Sequence, residues 1–317
     1  MATAMQGLDQ ELALGFKHIL IATDFSEASR QAFPYGLGLA RQYGSEIFVA
    51  HVAAVVREAI PLEPFPQELD RWREEAEQQM EGLVESTGIR DVKHHCLLER
   101  GPVAHVLAAI VKQKNIDLLV LGTHGRGGLR KIALGSVAEG MLRLVPCPVL
   151  TVGQHVAALP GDSPTFKRIL FATDFGNGAT KALPVALALA QKYRARFILL
   201  HMVEPTPIVN VGPAAFGGPT YYAEDVTDWE AKKKQESVRN LLELVPLDTK
   251  LPFAPEYVVG ANSAPEGILS AAAEYDVDLI VMGANRVASP GVTSHVPWSV
   301  VHRVLCEARC PVLTVRA

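Results

Sequence analysis

The chain is 317 residues long, enough for about two ordinary domains. Hydrophobic residues make up 49%, charged residues 20% and aromatics 7%, an aliphatic-rich globular composition that excludes a disordered or fibrous protein. Thirty Lys and Arg against 34 Asp and Glu leave a formal net charge of −4, which gives no bulk positive field to hold nucleic acid or an anionic membrane. Apolar runs fall short of the ~20 residues a membrane helix needs, Met1 to Gly15 lacks the basic start and apolar core of a secretory signal, and four scattered cysteines make no disulfide framework. The expectation is a cytoplasmic protein.

In chain order, short apolar runs alternate with longer stretches of helical period, the pattern of βαβ units around a parallel sheet. Strands are expected at His18–Thr23, Glu46–Val52, Lys93–Leu98, Leu118–Gly122 and Pro148–Val152. The first helix starts after Ser26, a good N-cap, and runs to about Tyr43. The second covers about Gln67–Thr87, with the acidic run Glu74, Glu75, Glu77 and Glu81 turned to water. Pro102 suits the first position of a third helix ending near Gln113, and a fourth starts near Ser136 and stops before Pro146. Beyond a turn-rich linker from Gly153 to Thr165, strands follow near Arg168–Thr173, Arg196–Val203, Pro255–Val259, Leu279–Gly283 and Pro311–Val315. A Pro, Gly and Ala-rich loop runs from Pro205 to Pro219. Near-continuous runs such as Leu118 to Leu121 mean strands covered on both faces, hence a doubly wound α/β fold.

The two halves repeat each other. Phe16 to Phe25 matches Phe166 to Phe175, and the match runs without a gap to His51/His201 with about 15 identities in 36 positions. The ending Cys147-Pro148-Val149-Leu150-Thr151-Val152 returns as Cys310-Pro311-Val312-Leu313-Thr314-Val315. Each repeat has the size of a domain, residues 1–153 and 166–317. Because the repeats end in equivalent edge strands, the halves should pair across those edges as a pseudo-dimer within the chain; two-fold association of whole chains is a further option.

The richest segment lies between Leu121 and Val137, where a buried strand ends in a loop with five glycines and a helix opens on its far side. Bare backbone N–H groups and the partial positive charge of a helix N-terminus suit an anion, phosphate above all. His124 lies in this loop within reach of a phosphate, and Arg126, Arg130 and Lys131 can offset further charge. In open α/β sheets ligands sit beyond the carboxyl ends of strands where the strand order reverses. With the first and fourth strands as neighbours, Asp24 and the glycine loop line one crevice, Val52 forms an apolar wall, and Asp24 either accepts hydrogen bonds from a base or ribose or caps the helix at Ser26.

Gly122-x2-Gly125-x9-Gly135-Ser136, together with Ala22-Thr23-Asp24-Phe25-Ser26 and His51-Val52, resembles the universal stress protein family over nearly the whole chain, as two tandem copies. The resemblance implies two five-stranded parallel sheets of order 3-2-1-4-5, the adenine nucleotide alpha hydrolase-like fold. It implies ATP with adenine near Ala22, Asp24 and Val52, and ribose and phosphates along Leu121, Gly122, Gly125, Gly135, Ser136 and Val137; Thr23 beside Asp24, and His124 and Arg126 in the loop, are the further candidate contacts. A Mg2+ or Mn2+ ion would ride on the phosphates, since the sequence holds no metal-ligand cluster of its own. The implied role is a nucleotide-dependent regulatory or interaction module in stress adaptation. A slow ATPase and a carrier of a non-nucleotide ligand are the alternatives.

In the second copy Asp174, Met202, Gly283 and Ser299 are kept, but counting back from the shared ending puts Arg286 near the Gly125 position and Trp298 at that of Gly135, with Pro290 and Pro297 removing backbone donors. One nucleotide per chain, in the first copy, is therefore expected. The residues leave open a different ligand, or a purely structural role, for the second copy. His94-His95-Cys96 falls on a strand whose neighbouring side chains diverge, Cys306, Cys310 and His302 read as packing residues, and Cys147 as buried and inert.

Overall fold

The computed structural model describes residues 15–54, 66–123, 134–159, 163–203, 223–284 and 296–317. The first copy holds β1 (His18–Thr23), α1 (Glu27–Tyr43), β2 (Glu46–Ala53), α2 (Pro66–Thr87), β3 (His94–Arg100), α3 (Val103–Gln113), β4 (Leu118–Gly122), α4 (Ser136–Leu144) and β5 (Val149–Val152). The second repeats the order with β6 (Arg168–Thr173), α5 (Asn177–Tyr193), β7 (Arg196–Met202), α6 (Ala223–Leu244), β8 (Glu256–Gly260), α7 (Ala264–Glu274), β9 (Leu279–Ala284), α8 (Val296–Glu307) and β10 (Val312–Arg316). Strand ends differ from the sequence reading by a residue or two. Pro102 is the N-cap of α3 rather than its first helical residue. The Pro205–Pro219 loop lies outside the described residues.

Among the described residues the strands form one ten-stranded sheet in the order β3-β2-β1-β4-β5-β10-β9-β6-β7-β8. Within each copy the pairing is parallel and the order is the expected 3-2-1-4-5. The two copies join by antiparallel pairing of β5 with β10, Leu150 opposite Leu313. The threonines flanking that point bond across it in matching fashion: Thr151 Oγ1 donates to Val312 O at 3.1 Å and Thr314 Oγ1 to Val149 O at 3.2 Å. Two edge strands that would each expose a row of unpaired backbone groups are thus closed on one another.

Alternation along buried strands sends successive side chains to opposite faces, so each face acquires its own core. Ile19, Ile21, Ile47 and Val49 pack with the helices that include Leu37, Leu83 and Leu187, whereas Leu20, Ala22, Ala50 and Leu119 pack with those that include Ile110, Met141 and Ile268. Each core runs through both copies without a break. The linker is tied in as well. A Cβ on Gly38 of α1 would stand 2.1 Å from Pro164 Cδ, and Phe166 stacks on Tyr35 of the first copy with ring centroids 6.4 Å apart.

Two glycines set how closely the fourth strand of each copy approaches its first helix. A Cβ on Gly122 would lie 2.7 Å from Ala28 O, and one on Gly283 only 2.1 Å from the carbonyl carbon of Gly178. Backbone cannot yield as a flexible side chain does. Gly122→Ala and Gly283→Ala should each lower the unfolding free energy by about 1–3 kcal/mol, the cost of overpacking, with the larger loss at Gly283; urea unfolding of the two variants checks both size and order.

Candidate functional site

The strand order reverses between β1 and β4, which pair directly through Ile19–Leu118, Leu20–Leu119 and Ile21–Val120. Their carboxyl ends therefore form the crevice where open α/β sheets bind ligands. The chain leaves β1 through a turn held by side chains. Thr23 Oγ1 accepts from Phe25 N at 3.0 Å, and Asp24 Oδ1 accepts from both Ser26 N, at 3.0 Å, and Ser26 Oγ. Ser29 Oγ spends its proton on Ser26 O, so the 3.0 Å contact with Thr23 Oγ1 is donated by the threonine. Ser26 Oγ then accepts from Ser29 N as the N-cap of α1. Asp24 thus holds Ser26 in place, and Ser26, not Asp24, caps the helix.

This turn carries strain. Phe25 sits at φ 62°, a left-handed conformation that costs an L-residue about 1–2 kcal/mol. His51 holds it there. The imidazole lies against the Phe25 ring with centroids 4.4 Å apart, and its Nδ1 is 2.9 Å from Thr23 O; a carbonyl only accepts, so Nδ1 carries the proton. The second copy repeats the device, with Phe175 at φ 60°, its ring 4.4 Å from His201, and His201 Nδ1 donating to Thr173 O at 2.8 Å. Sequence reasoning assigned no role to Phe25 or His51. Their identity with Phe175 and His201 across the repeat was the signal that could have found them.

Ala22, Val52 and Leu121 come together in the same apolar core, on the face covered by α3 and α4. Thr123, 1% exposed, donates its N–H to Val152 O at 3.0 Å and accepts from Gly135 N at 2.8 Å, so the end of β4 and the start of α4 meet at one neck. Gly135 is the N-cap of α4 with φ −62° and ψ 145°, and no side chain caps this helix. That backbone conformation is open to any residue. Next to it Ser136 is exposed, while Val137 packs against the core. His124, Gly125 and Arg126 lie outside the described residues, as do Arg130, Lys131, Arg286 and Pro290. Gly122 has a packing reason of its own in the contact with Ala28, and Gly283 has the same reason in the second copy.

In the second copy the final helix begins at Val296, ahead of Ser299, the counterpart of Ser136. Trp298 therefore stands inside the first turn and not at the cap, and Pro297 beside it removes one of the helix's free N-terminal donors. Outside the crevice, His94 Nδ1 contacts Val92 O at 2.8 Å. His95 and Lys93 instead close on Glu46, and the Lys93 hydrogen bond, followed by that of His95, holds the carboxyl below its usual range. Among the described residues no group of His, Cys, Asp or Glu could hold a metal ion. Burial pushes the thiols of Cys147 and Cys310 up to about 12, which leaves no thiolate to act as a nucleophile near neutral pH. No helix among the described residues is long and apolar enough to cross a membrane.

Fold, crevice and duplicated turn define an α/β protein of two fused doubly wound domains. The universal stress protein family model matches residues 15–153 and 165–316, and the chain belongs to that family. A universal stress protein of Methanocaldococcus jannaschii is 32% identical over 146 residues, which is 43% of this chain and 82% of that protein. The crystal structure of a universal stress protein from Archaeoglobus fulgidus covers 94% of this chain and 98% of its own at a TM-score of 0.62 and 21% identity, a likeness of fold. Another family member was solved in complex with cAMP; it matches 44% of this chain and 98% of its own, with 19% identity and a TM-score of 0.31.

Replacing His51 with leucine keeps an apolar side chain beside Phe25 but removes the Nδ1 hydrogen bond to the Thr23 carbonyl. His51→Leu should cost about 0.5–1.5 kcal/mol in urea unfolding, and an unchanged midpoint would show that the turn holds without its clamp.

Proposed function

We propose that the first copy binds one adenine nucleotide, ATP, at the carboxyl ends of β1, β2 and β4, and that the bound state serves as a regulatory signal in stress adaptation. The observation that carries this reading is Gly135. It caps α4 at an ordinary φ, so the backbone does not require glycine there, and it gives up the side-chain oxygen that serine, threonine or aspartate would bring to an N-cap. What glycine does allow is close approach of an anion to the helix's free N–H groups, aided by roughly half a positive charge of the helix dipole. Glycines 122, 125 and 135, with Ser136, Val137, His124 and Arg126, would line the phosphates and ribose. Ala22, Val52 and Leu121 offer an apolar seat for the base, and Thr23 and Asp24 offer it polar atoms. A Mg2+ or Mn2+ ion would arrive with the phosphates and supply charge neutralisation there.

The second copy is read as empty of nucleotide. An earlier helix start, Pro297 in the first turn and Trp298 at the position that aligns with Gly135 in sequence each reduce what an anion could use. Native mass spectrometry and calorimetric titration should find one ATP per chain. Gly135→Trp should weaken binding at least ~100-fold, about 2.7 kcal/mol, with the urea midpoint kept. Two equivalent sites, or tight binding by the folded variant, would overturn the reading.

A further inference from the structure

We infer that the nucleotide site of the first copy is completed by the second copy: the last turn of α8 props the neck of the glycine loop, and Cys306 is the positioning residue at that contact. The inference rests on the nucleotide reading above and concerns what holds the site in shape.

Three segments meet at the neck. Gly135 N–H on Thr123 O closes the loop's mouth, and Thr123 N–H on Val152 O fastens the mouth to β5. Directly after Val152, a Cβ on Gly153 would lie 3.4 Å from Leu305 O, 3.6 Å from Ala308 O and 3.8 Å from Thr123 Oγ1, so the carbonyl end of α8 rests against the junction of β5 with the neck. On the loop's returning side, the Leu134 backbone lies within hydrogen-bonding reach of the Cys306 thiol and offsets part of the rise that burial imposes on that group. Cys306 is 2% exposed, and its Sγ is 4.0 Å from His302 Nδ1, one turn back on α8. Leu121 and Leu134 of the first copy share one apolar core with Val304 and Leu305 of the second.

Helix α8 therefore begins at the altered loop of the second copy and ends on the neck of the first copy's loop, a rod of twelve residues (Val296–Glu307) and about 18 Å. A helix is a rigid element, and packed contacts at its two ends transmit displacement between them. A nucleotide bound at the neck should tighten the contact at Cys306, and loosening of that contact should weaken the nucleotide; linkage makes the two effects equal in size.

The test uses the full chain at pH 8 with N-ethylmaleimide, following each cysteine by peptide mass spectrometry with and without saturating MgATP, while calorimetry reads ATP binding on the same preparation. A buried thiol reacts only through local opening. ATP should slow Cys306 at least about fivefold and leave exposed Cys96 unchanged. Cys306→Ala should weaken ATP by about fivefold at an unchanged stoichiometry, and Cys306→Ser, which restores an acceptor for the Leu134 N–H, should recover most of the loss. Binding of ATP with no change in the Cys306 rate overturns the inference and spares the nucleotide reading. Absence of any ATP binding overturns both. The thiol kinetics are read on the unmodified sequence, so they stand even where a variant fails to fold.

Discussion

The antiparallel pairing of β5 with β10 is the contact on which the rest of the molecule depends. These are the terminal strands of the two copies, with four and five residues. Each is apolar on both faces and buried, so as a free edge it would be a template for aggregation. Joined, they make one sheet of ten strands, and the cores above and below it become continuous through both copies. The threonine hydroxyls at this junction are buried yet satisfied, since each reaches a carbonyl of the opposite strand. A pair of apolar residues there would preserve burial. It would lose the two bonds that favour Leu150 opposite Leu313 over a slipped register, in which every side chain changes face.

The comparison between copies separates what builds the domain from what the loop adds. The turn after the first strand is the same in both: a threonine hydroxyl under the phenylalanine amide, a left-handed phenylalanine, and a histidine holding ring and carbonyl together. Holding a bulky residue in that conformation costs energy that neighbouring contacts must offset. The contacts that offset it are retained along with it. By contrast, the loop beyond the fourth strand shares little between copies, and its following helix starts at different points in the two.

Most of the fold was legible in the sequence because the strands are fully buried and read as short apolar runs, and because the repeat supplied each half with a second reading of itself. The order of strands could be inferred from the family resemblance, and the pairing of terminal strands followed from their equivalence. The start of α8 was less legible. Proline at the second helical position reads equally well as a loop residue, since its missing N–H costs a first turn nothing, and alignment with Gly135 points to a start three residues later, near Ser299. Glycine spacing singled out the candidate site, but spacing alone gives every glycine the same meaning. Gly122 is required by the Ala28 carbonyl, whereas Gly135 adopts a φ that asks for no glycine; only coordinates separate a packing glycine from one that leaves room for something else.

That separation explains how one copy could lose its loop chemistry and keep its shape. Thr173, Phe175, His201 and Gly283 hold the second crevice's walls through contacts made wholly on its own strands and first helix. None of those contacts passes through the segment where Trp298 and Pro297 stand. Changes there leave the sheet intact, and the helix that follows stays buried through Val301, Val304 and Leu305 whatever its first turn contains. The carboxyl end of that helix is under a different constraint, because it abuts Gly153 and the neck of the other copy's loop. Divergence is thus cheap at the amino end of α8 and costly at its carboxyl end. The surface that the second copy offers across the sheet junction is made by the carboxyl end of α8, a helix's length away from the crevice of its own copy.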